Sequence, residues 1–147
     1  QMMRELPRER LIIGVQAVAG AQGALDATVA YVQERQAFGQ TIGQFQNTRF
    51  TLARQATDIA ASRAFLNACI AAYQHGELTP EAVSALKLHT TELMGRVADA
   101  CLQLFGGYGY MAEYPIARFW TDARVLRIYG GTSEIMLELV ARSLLGR

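Results

Sequence analysis

A glycine pair near the C-terminus is the part of the sequence best suited to hold a ligand. Gly130 and Gly131 lie between Tyr129 and the pair Thr132-Ser133, and an apolar helical pattern follows. Glycine permits sharp turns and lets a ligand approach the backbone closely. Thr132 or Ser133 would cap the following helix, whose free N–H groups attract anions. An ordinary loop that leads into a helix explains the same pattern.

Two other places combine residue types that bind cofactors. Arg35 and Phe38 follow a long helical pattern and offer a forked cation and an aromatic ring, which suit a pyrophosphate and an adenine. An arginine that simply completes the helix C-terminus is an equal explanation. Gln103 precedes Gly106-Gly107 and could present a side-chain amide beside backbone N–H groups, or merely end a helix.

Glu9 is a candidate general base, because a carboxylate can remove a weakly acidic proton. It stands between Arg8 and Arg10, just after Pro7, which we place in the first turn of a helix. The helix dipole favours a carboxylate in that turn, and this alone explains the residue.

The remaining reactive side chains are not arranged for chemistry. His75 and His89 have no ligand spacing to each other or to a cysteine, so we expect no metal site. Cys69 and Cys101 lie in separate helical patterns, which predicts two reduced core thiols in a cytosolic protein. The sequence contains no G-x-S-x-G, Walker or dinucleotide-binding motif.

Length and composition favour one ordinary domain. The 147 residues are 51% hydrophobic and carry a formal net charge of +1, which gives no reason to expect nucleic acid or an acidic membrane surface as a partner. We expect no apolar run long enough to cross a bilayer and no signal peptide. The chain begins abruptly at Gln1, and we therefore expect a piece of a longer protein.

Apolar residues recur at steps of three and four in three long stretches, each typical of a helix. The first runs from Pro7 to about Glu34, the second from about Phe45 to a turn at residues 75–80, and the third from Pro80 to residue 105. The expected seams are Leu11, Val15, Val18, Gln22, Leu25, Val29 and Val32; then Phe45, Arg49, Leu52, Ala56, Ile59, Arg63, Leu66, Ile70 and Tyr73; then Val83, Leu86, Thr90, Leu93, Val97, Ala100 and Leu104.

Shorter helices at residues 116–124 and 133–145 complete the prediction, and no strand pattern is present. The sequence therefore predicts an all-α, antiparallel up-and-down helical bundle of three long and two shorter helices. Arg49 and Arg63 are unusual on an apolar seam. They could extend to its edge, or pair with a carboxylate or a ligand phosphate.

Six motifs in one order resemble the C-terminal domain of acyl-CoA dehydrogenases, over essentially all of residues 1–147. The motifs are Glu34-Arg35-Gln36-Ala37-Phe38-Gly39, Gln46, Gln103-Leu104-Phe105-Gly106-Gly107-Tyr108-Gly109-Tyr110, Glu113-Tyr114-Pro115-Ile116, Asp122-Ala123-Arg124 and Ile128-Tyr129-Gly130-Gly131-Thr132-Ser133-Glu134-Ile135. Full-length members of this family also contain an N-terminal helical domain and a middle β-domain.

The resemblance implies an FAD enzyme that forms a trans-2,3 double bond in an acyl-CoA thioester. A glutamate takes the α-proton, a hydride passes from Cβ to the flavin, and electron-transferring flavoprotein receives the electrons. The resemblance further implies a homotetramer or homodimer built through the helical bundles, in the cytoplasm of a bacterium or in the mitochondrial matrix. The resemblance implies neither a membrane nor a nucleic acid as a partner.

The position of the base separates branches of this family. Short- and medium-chain members carry a glutamate directly after the tyrosine of the Tyr-x-Gly-Thr motif, where this sequence has Gly130. Long-chain and isovaleryl-type members carry it on the first helix, in a Glu-Arg-Leu context that Glu9-Arg10-Leu11 matches. The resemblance thus implies Glu9 as the catalytic base. A second carboxylate at position 130 would add like-charge repulsion.

Other roles carry over by position. The resemblance assigns cofactor binding to Arg35, Phe38, Gln46, Gln103, Leu104, Phe105, Gly106, Gly107, Thr132, Ser133 and Glu134, in part across a subunit boundary. It assigns the substrate side to Arg10, Gly130 and Gly131. The alternative is a helical oligomerisation module of a family member that lacks dehydrogenation or carries out related flavin chemistry, such as nitroalkane oxidation. A plain helical bundle for protein contacts is a third interpretation.

Overall fold

The computed structural model describes residues 2–146, with side chains from residue 6 onward. Five helices dominate, and this confirms the all-α prediction. They are α1 (Met2–Glu34), α2 (Gln46–Gln74), α3 (Pro80–Phe105), α4 (Pro115–Leu126) and α5 (Ser133–Leu145). Helix α3 lies at the centre and packs against the other four. Helices α1 and α2 run antiparallel, because a tight hairpin joins them and Gln22 of α1 contacts Arg63 of α2.

Helix α1 begins earlier than the sequence indicated. Pro7 lies inside the helix, not in its first turn. A proline so close to a helix end interrupts only the bonding of the terminal turn, where the cost is small. Over Leu6–Glu34 this helix is also long and apolar enough to cross a membrane by length and composition, contrary to our expectation. Its apolarity has another explanation, because α1 packs against α2, α3 and α4.

The described side chains form a core of two buried clusters. The larger joins α1, α2, α3 and α4 around Leu93, Val97 and Ile116, and the smaller joins α1, α2 and α3 around Val18, Leu66 and Leu86. Every residue of the predicted third seam is buried or half-buried. Cys69 and Cys101 are free, buried thiols, as predicted.

Two predicted seams needed correction. Val15 is 42% exposed on α1, where Ala17, Ala21 and Ala24 are buried instead because small side chains let α3 approach closely. On α2 the buried positions are Thr48, Ile59, Ser62, Leu66 and Cys69. The α2 arginines face outward, and Arg63 donates to Oε1 of Gln22 at 3.3 Å. No carboxylate contacts either Arg49 or Arg63 within the described side chains.

A two-residue hairpin connects α1 to α2. Its strands, β1 (Gln36–Ala37) and β2 (Gln40–Thr41), pair antiparallel, and both turn residues, Phe38 and Gly39, have positive φ. Positive φ at both positions is the requirement of the type I′ turn that suits tight hairpins. Strands this short cannot show alternation, which is why the sequence pattern missed them.

Helix ends follow the expected signals. The hydroxyl of Thr79 accepts the N–H of Ala82 ahead of Pro80, and the hydroxyl of Thr132 accepts the N–H of Ile135 at the start of α5. After α3 the glycine-rich segment continues as a 3-10 turn, Gly106–Tyr110. There a Cβ on Gly109 would lie 2.5 Å from the carbonyl oxygen of Leu102, so only glycine fits.

Candidate functional site

Glu9 and Gly130 line the same pocket. The pocket has a volume of about 290 Å³ and is formed by Glu9, Ile12, Ile13, Gln16, Tyr129 and Gly130. The hydroxyl of Tyr129 donates to Oε1 of Gln16 at 3.3 Å and so closes one side. Glu9 is exposed, and its carboxylate is available to a ligand. The fold thus brings together a residue of the first helix and the glycine pair near the C-terminus.

The backbone at the glycine pair leaves no room for a side chain. Gly130 and Gly131 have φ values of 68° and 106°, in the region that favours glycine. A Cβ on Gly130 would lie 2.5 Å from Cδ1 of Ile13, and a Cβ on Gly131 would lie 2.6 Å from Cε of Met136. Gly130, the glycine of this pair that lines the pocket, therefore presents bare backbone to it.

Two buried cationic side chains hold this turn through hydrogen bonds to its carbonyl oxygens. Arg10 donates from Nε to the carbonyl oxygen of Gly130 at 3.1 Å and from Nη1 to Oγ of Ser84 at 3.3 Å. Lys87 donates from Nζ to the carbonyl oxygen of Gly131 at 2.6 Å. Arg10 had been expected on the substrate side, and here its bonded groups hold the turn that forms the pocket wall.

The start of α5 follows the turn directly. Thr132 is half-buried and caps the helix, and Ser133 is buried with its hydroxyl unpaired among the described residues. Glu134 is exposed, and hydrogen bonds from its own backbone N–H and from the hydroxyl of Thr132 lower the pKa of its carboxyl. A carboxylate that is already held at a helix N-terminus is suited to hydrogen bonding more than to proton removal.

A second pocket, of about 550 Å³, lies where α1 and α3 end. It brings Arg35 together with the segment Gln103, Leu104, Phe105, Gly106 and Gly107. The guanidinium of Arg35 lies 5.2 Å above the ring of Tyr108, a cation–π arrangement. Gln103 is exposed, whereas Phe105 is 6% exposed and stacks on Tyr31 with ring centroids 4.0 Å apart. Phe105 could therefore meet a ligand through its backbone only.

Phe38 and Gln46 follow Arg35 closely in the sequence, but neither lines this second pocket. Phe38 is 96% exposed at the tip of the hairpin, edge-on to Phe45. Gln46 is exposed at the first position of α2. Both side chains face outward, where a molecule from outside this chain could reach them.

The two pockets lie at opposite ends of α1. Glu9 and Glu34 are 25 positions apart on this 33-residue helix. At a rise of 1.5 Å per residue, the helix separates them by about 38 Å. The Glu9 carboxylate and the Arg35 side chain therefore belong to separate parts of the chain, although Gln16 and Tyr31, which line the two pockets, are only 15 positions apart on α1.

Comparison with known proteins fits this geometry. Residues 1–145 match the C-terminal domain of acyl-CoA dehydrogenases. The chain belongs to the acyl-CoA dehydrogenase family. The long-chain specific acyl-CoA dehydrogenase of Sus scrofa mitochondria is 46% identical over 97% of this chain. The NADH-dependent acryloyl-CoA reductase of Anaerotignum propionicum is 37% identical over 99% of this chain.

Solved structures of acyl-CoA dehydrogenases have the same fold. The enzyme of Geobacillus kaustophilus superposes with a TM-score of 0.95 at 41% identity, over 97% of this chain and 38% of its own. A glutaryl-CoA dehydrogenase of Mycobacterium smegmatis in complex with FADH2 superposes with a TM-score of 0.93 at 27% identity, over 97% of this chain and 37% of its own. The chain spans about a third of the relatives' length, 33% for the Sus scrofa protein and 37% for the reductase.

Sequence reasoning missed part of the candidate site of this acyl-CoA dehydrogenase domain. Lys87, Ser84, Gln16 and Tyr129 support or line the Glu9 pocket, yet none had been assigned to it. One signal was present, because Lys87 is the only lysine of the sequence and falls between the apolar positions of the third seam. A lysine in such a position is buried only where an acceptor satisfies it.

Burial makes the stability of the domain depend on pH through Lys87. Burial and the nearby Arg10 lower the pKa of Lys87 from its ordinary 10.5. Between the lowered pKa and 10.5 the unfolded chain binds more protons than the folded one, so folding stability gains as pH rises. We expect the stability of the native chain to rise relative to that of Lys87→Met as pH is raised toward 10.5. Urea unfolding of both at several alkaline pH values tests this, and a constant difference would contradict it.

Proposed function

We propose that this domain acts within a longer FAD-dependent acyl-CoA dehydrogenase, with Glu9 as the base that removes the α-proton of an acyl-CoA thioester. The observation that carries the proposal is the shared pocket of Glu9 and Gly130. It offers an exposed carboxylate opposite a turn without side chains, so a flat thioester could lie against the backbone within reach of the base.

The residues at both ends of α1 fit an FAD molecule. At one end Arg35, with its planar guanidinium, and the amide of exposed Gln103 suit a diphosphate and an adenosine. At the other end the N-terminus of α5 provides the N–H groups and the dipole that a polar cofactor edge needs. FAD, when bound, accepts the hydride that leaves Cβ of the substrate.

The chain's own groups have the following roles in this proposal. Glu9 accepts the α-proton on its carboxylate. Gly130 and Gly131 leave space for the thioester, and Tyr129 and Gln16 bound that space through their hydrogen bond. Ile12 and Ile13 provide apolar surface that displaces water from the reacting carbon.

The separation of the two pockets supports a site shared between chains. Because about 38 Å of α1 lies between Glu9 and Glu34, the Arg35 pocket of one chain would serve the flavin of another. Phe38 and Gln46, which face outward, would contribute there. We therefore propose a homotetramer or homodimer, with electron-transferring flavoprotein as the electron acceptor of the full-length enzyme. Substrates of the long-chain or branched-chain class are favoured, because Glu9 lies on the first helix.

The test is anaerobic mixing of the full-length, FAD-loaded protein with short, branched and long acyl-CoA thioesters. Loss of the visible absorbance of the oxidised flavin, as expected when a flavin accepts a hydride, would establish dehydrogenation and identify the substrate class. If no thioester bleaches the flavin, the dehydrogenase proposal is wrong. An enoyl-CoA panel against the chemically reduced enzyme would then distinguish a reductase from an oligomerisation module.

The 147-residue chain by itself is expected to bind FAD weakly and to lack activity. Both pockets are open, and in relatives this region is about a third of the protein. Fluorescence titration of FAD with the chain should show no saturation at micromolar concentrations of the chain. Stoichiometric flavin in the purified chain would contradict this expectation.

A further inference from the structure

Lys87 is an exception to the usual placement of lysine. Its side chain is 0% exposed, and it is the largest fully buried side chain of the described residues. Lysine is almost never buried unless paired. Within the described side chains no carboxylate lies at ion-pair distance from it. Its ammonium instead donates to the carbonyl oxygen of Gly131 at 2.6 Å.

A second cation lies beside it. Arg10 is 8% exposed and donates to the carbonyl oxygen of Gly130, and its charge contributes to the lowered pKa of Lys87. Two buried like charges repel and are costly to desolvate. Apolar side chains at these positions would avoid that cost but could not donate hydrogen bonds. Arg10 and Lys87 do donate them, to the successive carbonyl groups of Gly130 and Gly131.

Fixing these carbonyls also fixes the opposite side of the turn. A trans peptide is planar, so its N–H points opposite to its C=O. With the oxygens of Gly130 and Gly131 held toward Arg10 and Lys87, the N–H groups of Gly131 and Thr132 point away from the cations. Neither glycine has a side chain that could anchor the turn by packing.

We propose that Lys87 is a positioning residue for the reaction: with Arg10 it fixes the orientation of the peptide groups that follow Gly130 and Gly131, in a turn whose Gly130 lines the Glu9 pocket. The effect on catalysis rests on the function proposed above, whereas the effect on the turn does not. Lys87 touches neither substrate nor cofactor and acts through the backbone of Gly131.

The turn is tested directly by hydrogen exchange in the full-length protein, with Lys87→Met compared with Thr90→Val. Thr90 is also fully buried on α3, but its hydroxyl bonds only to carbonyls of its own helix. The N–H of Ser133 closes this turn by donating to the carbonyl oxygen of Arg127 at 3.2 Å. Loss of the charged hydrogen bond from Lys87 should speed exchange of this amide by about tenfold in Lys87→Met. Thr90→Val should leave it unchanged. Equal exchange in both variants, or faster exchange spread over all helices, would overturn the proposal.

The effect on catalysis is tested by rapid mixing of the same proteins with the best substrate. We expect Lys87→Met to lower the limiting rate of flavin reduction by about 10- to 100-fold, as for a small misplacement of reacting groups, with acyl-CoA affinity changed less than about threefold. Reduction at the Thr90→Val rate would overturn the role in catalysis. If acyl-CoA does not reduce the flavin of the native enzyme, the proposed dehydrogenase function is wrong. The hydrogen-exchange result then decides by itself whether Lys87 fixes the turn.

Lys87→Gln is the second test variant, for use if Lys87→Met does not accumulate as folded protein. Glutamine keeps an N–H donor but is shorter and uncharged. The Ser133 amide of this variant should therefore exchange about threefold faster than in the native protein, a rate between those of the native protein and Lys87→Met. Native exchange in Lys87→Gln would show that neither the charge nor the reach of Lys87 matters, and would overturn the proposal.

Discussion

Glu9→Gln is expected to retain FAD in the full-length enzyme and to slow flavin reduction by acyl-CoA about a thousandfold. Glutamine has nearly the same shape but cannot accept the α-proton, and general bases contribute roughly 10²- to 10⁴-fold. The measurement is stopped-flow absorbance at saturating substrate, together with the flavin-to-protein ratio. Glu138→Gln is the matched control, since Glu138 is an exposed residue of α5 that pairs only with Arg142 among the described side chains.

Glu134 provides the competing explanation, because it also lies next to the glycine turn. Its carboxyl is hydrogen-bonded at the start of α5 and its pKa is lowered. We expect Glu134→Gln to lose much less rate than Glu9→Gln. The opposite ranking would assign the base to Glu134 and would contradict the role of Glu9.

The structure also explains why the base cannot simply be moved to position 130. Besides like-charge repulsion, a Cβ there would lie 2.5 Å from Cδ1 of Ile13, and the φ of 68° disfavours any side chain. A carboxylate at position 130 would therefore require Cδ1 of Ile13 to move and the turn to adopt a different backbone conformation.

Gly109→Ala is expected to be the most destabilising of the glycine substitutions, at about 2–3 kcal/mol, as for other overpacked sites. The new Cβ would meet the carbonyl oxygen of Leu102 at 2.5 Å and Cβ of Phe105 at 3.1 Å, and neither can move without displacing α3. For a domain of this size the unfolding temperature should fall by about 5–10 °C. Thermal unfolding followed by circular dichroism measures this.

Gly95→Ala is the matched control for this prediction. Gly95 lies within α3, and a Cβ there meets nothing within 4 Å. Alanine favours helix over glycine, so we expect this variant to gain up to about 1 kcal/mol. If both variants were destabilised alike, the loss would come from α3 in general and not from the contact at Leu102.

Most of the fold follows from helical periodicity and end signals. The Thr79-Pro80 start of α3 and the Ser133–Leu145 bounds of α5 were predicted correctly, because capping residues act locally. The hairpin at Phe38-Gly39 was missed because it has only two residues on each strand. Pro7 was misplaced because a proline marks a helix start only on average.

The candidate site was predictable only in part. Motif resemblance pointed to Glu9 and to Gly130, and the fold places both on one pocket. It could not show that Arg10 lies beneath the turn, or that Lys87 reaches it from α3, because these contacts join residues 120 and 44 positions apart. Contacts at such separations are set by how the helices pack, and a single sequence carries no local signal for them.

The length of α1 has a consequence for mixed assemblies. If each flavin takes its base from one chain and its Arg35 pocket from another, then Glu9→Gln and Arg35→Ala damage opposite halves of a site. When the two variant chains assemble together, a site that takes its base from the Glu9→Gln chain and its pocket from the Arg35→Ala chain carries both substitutions. A site formed the other way round carries neither and would be active. The 33 residues of α1 would thus make two defective alleles complement each other within one oligomer.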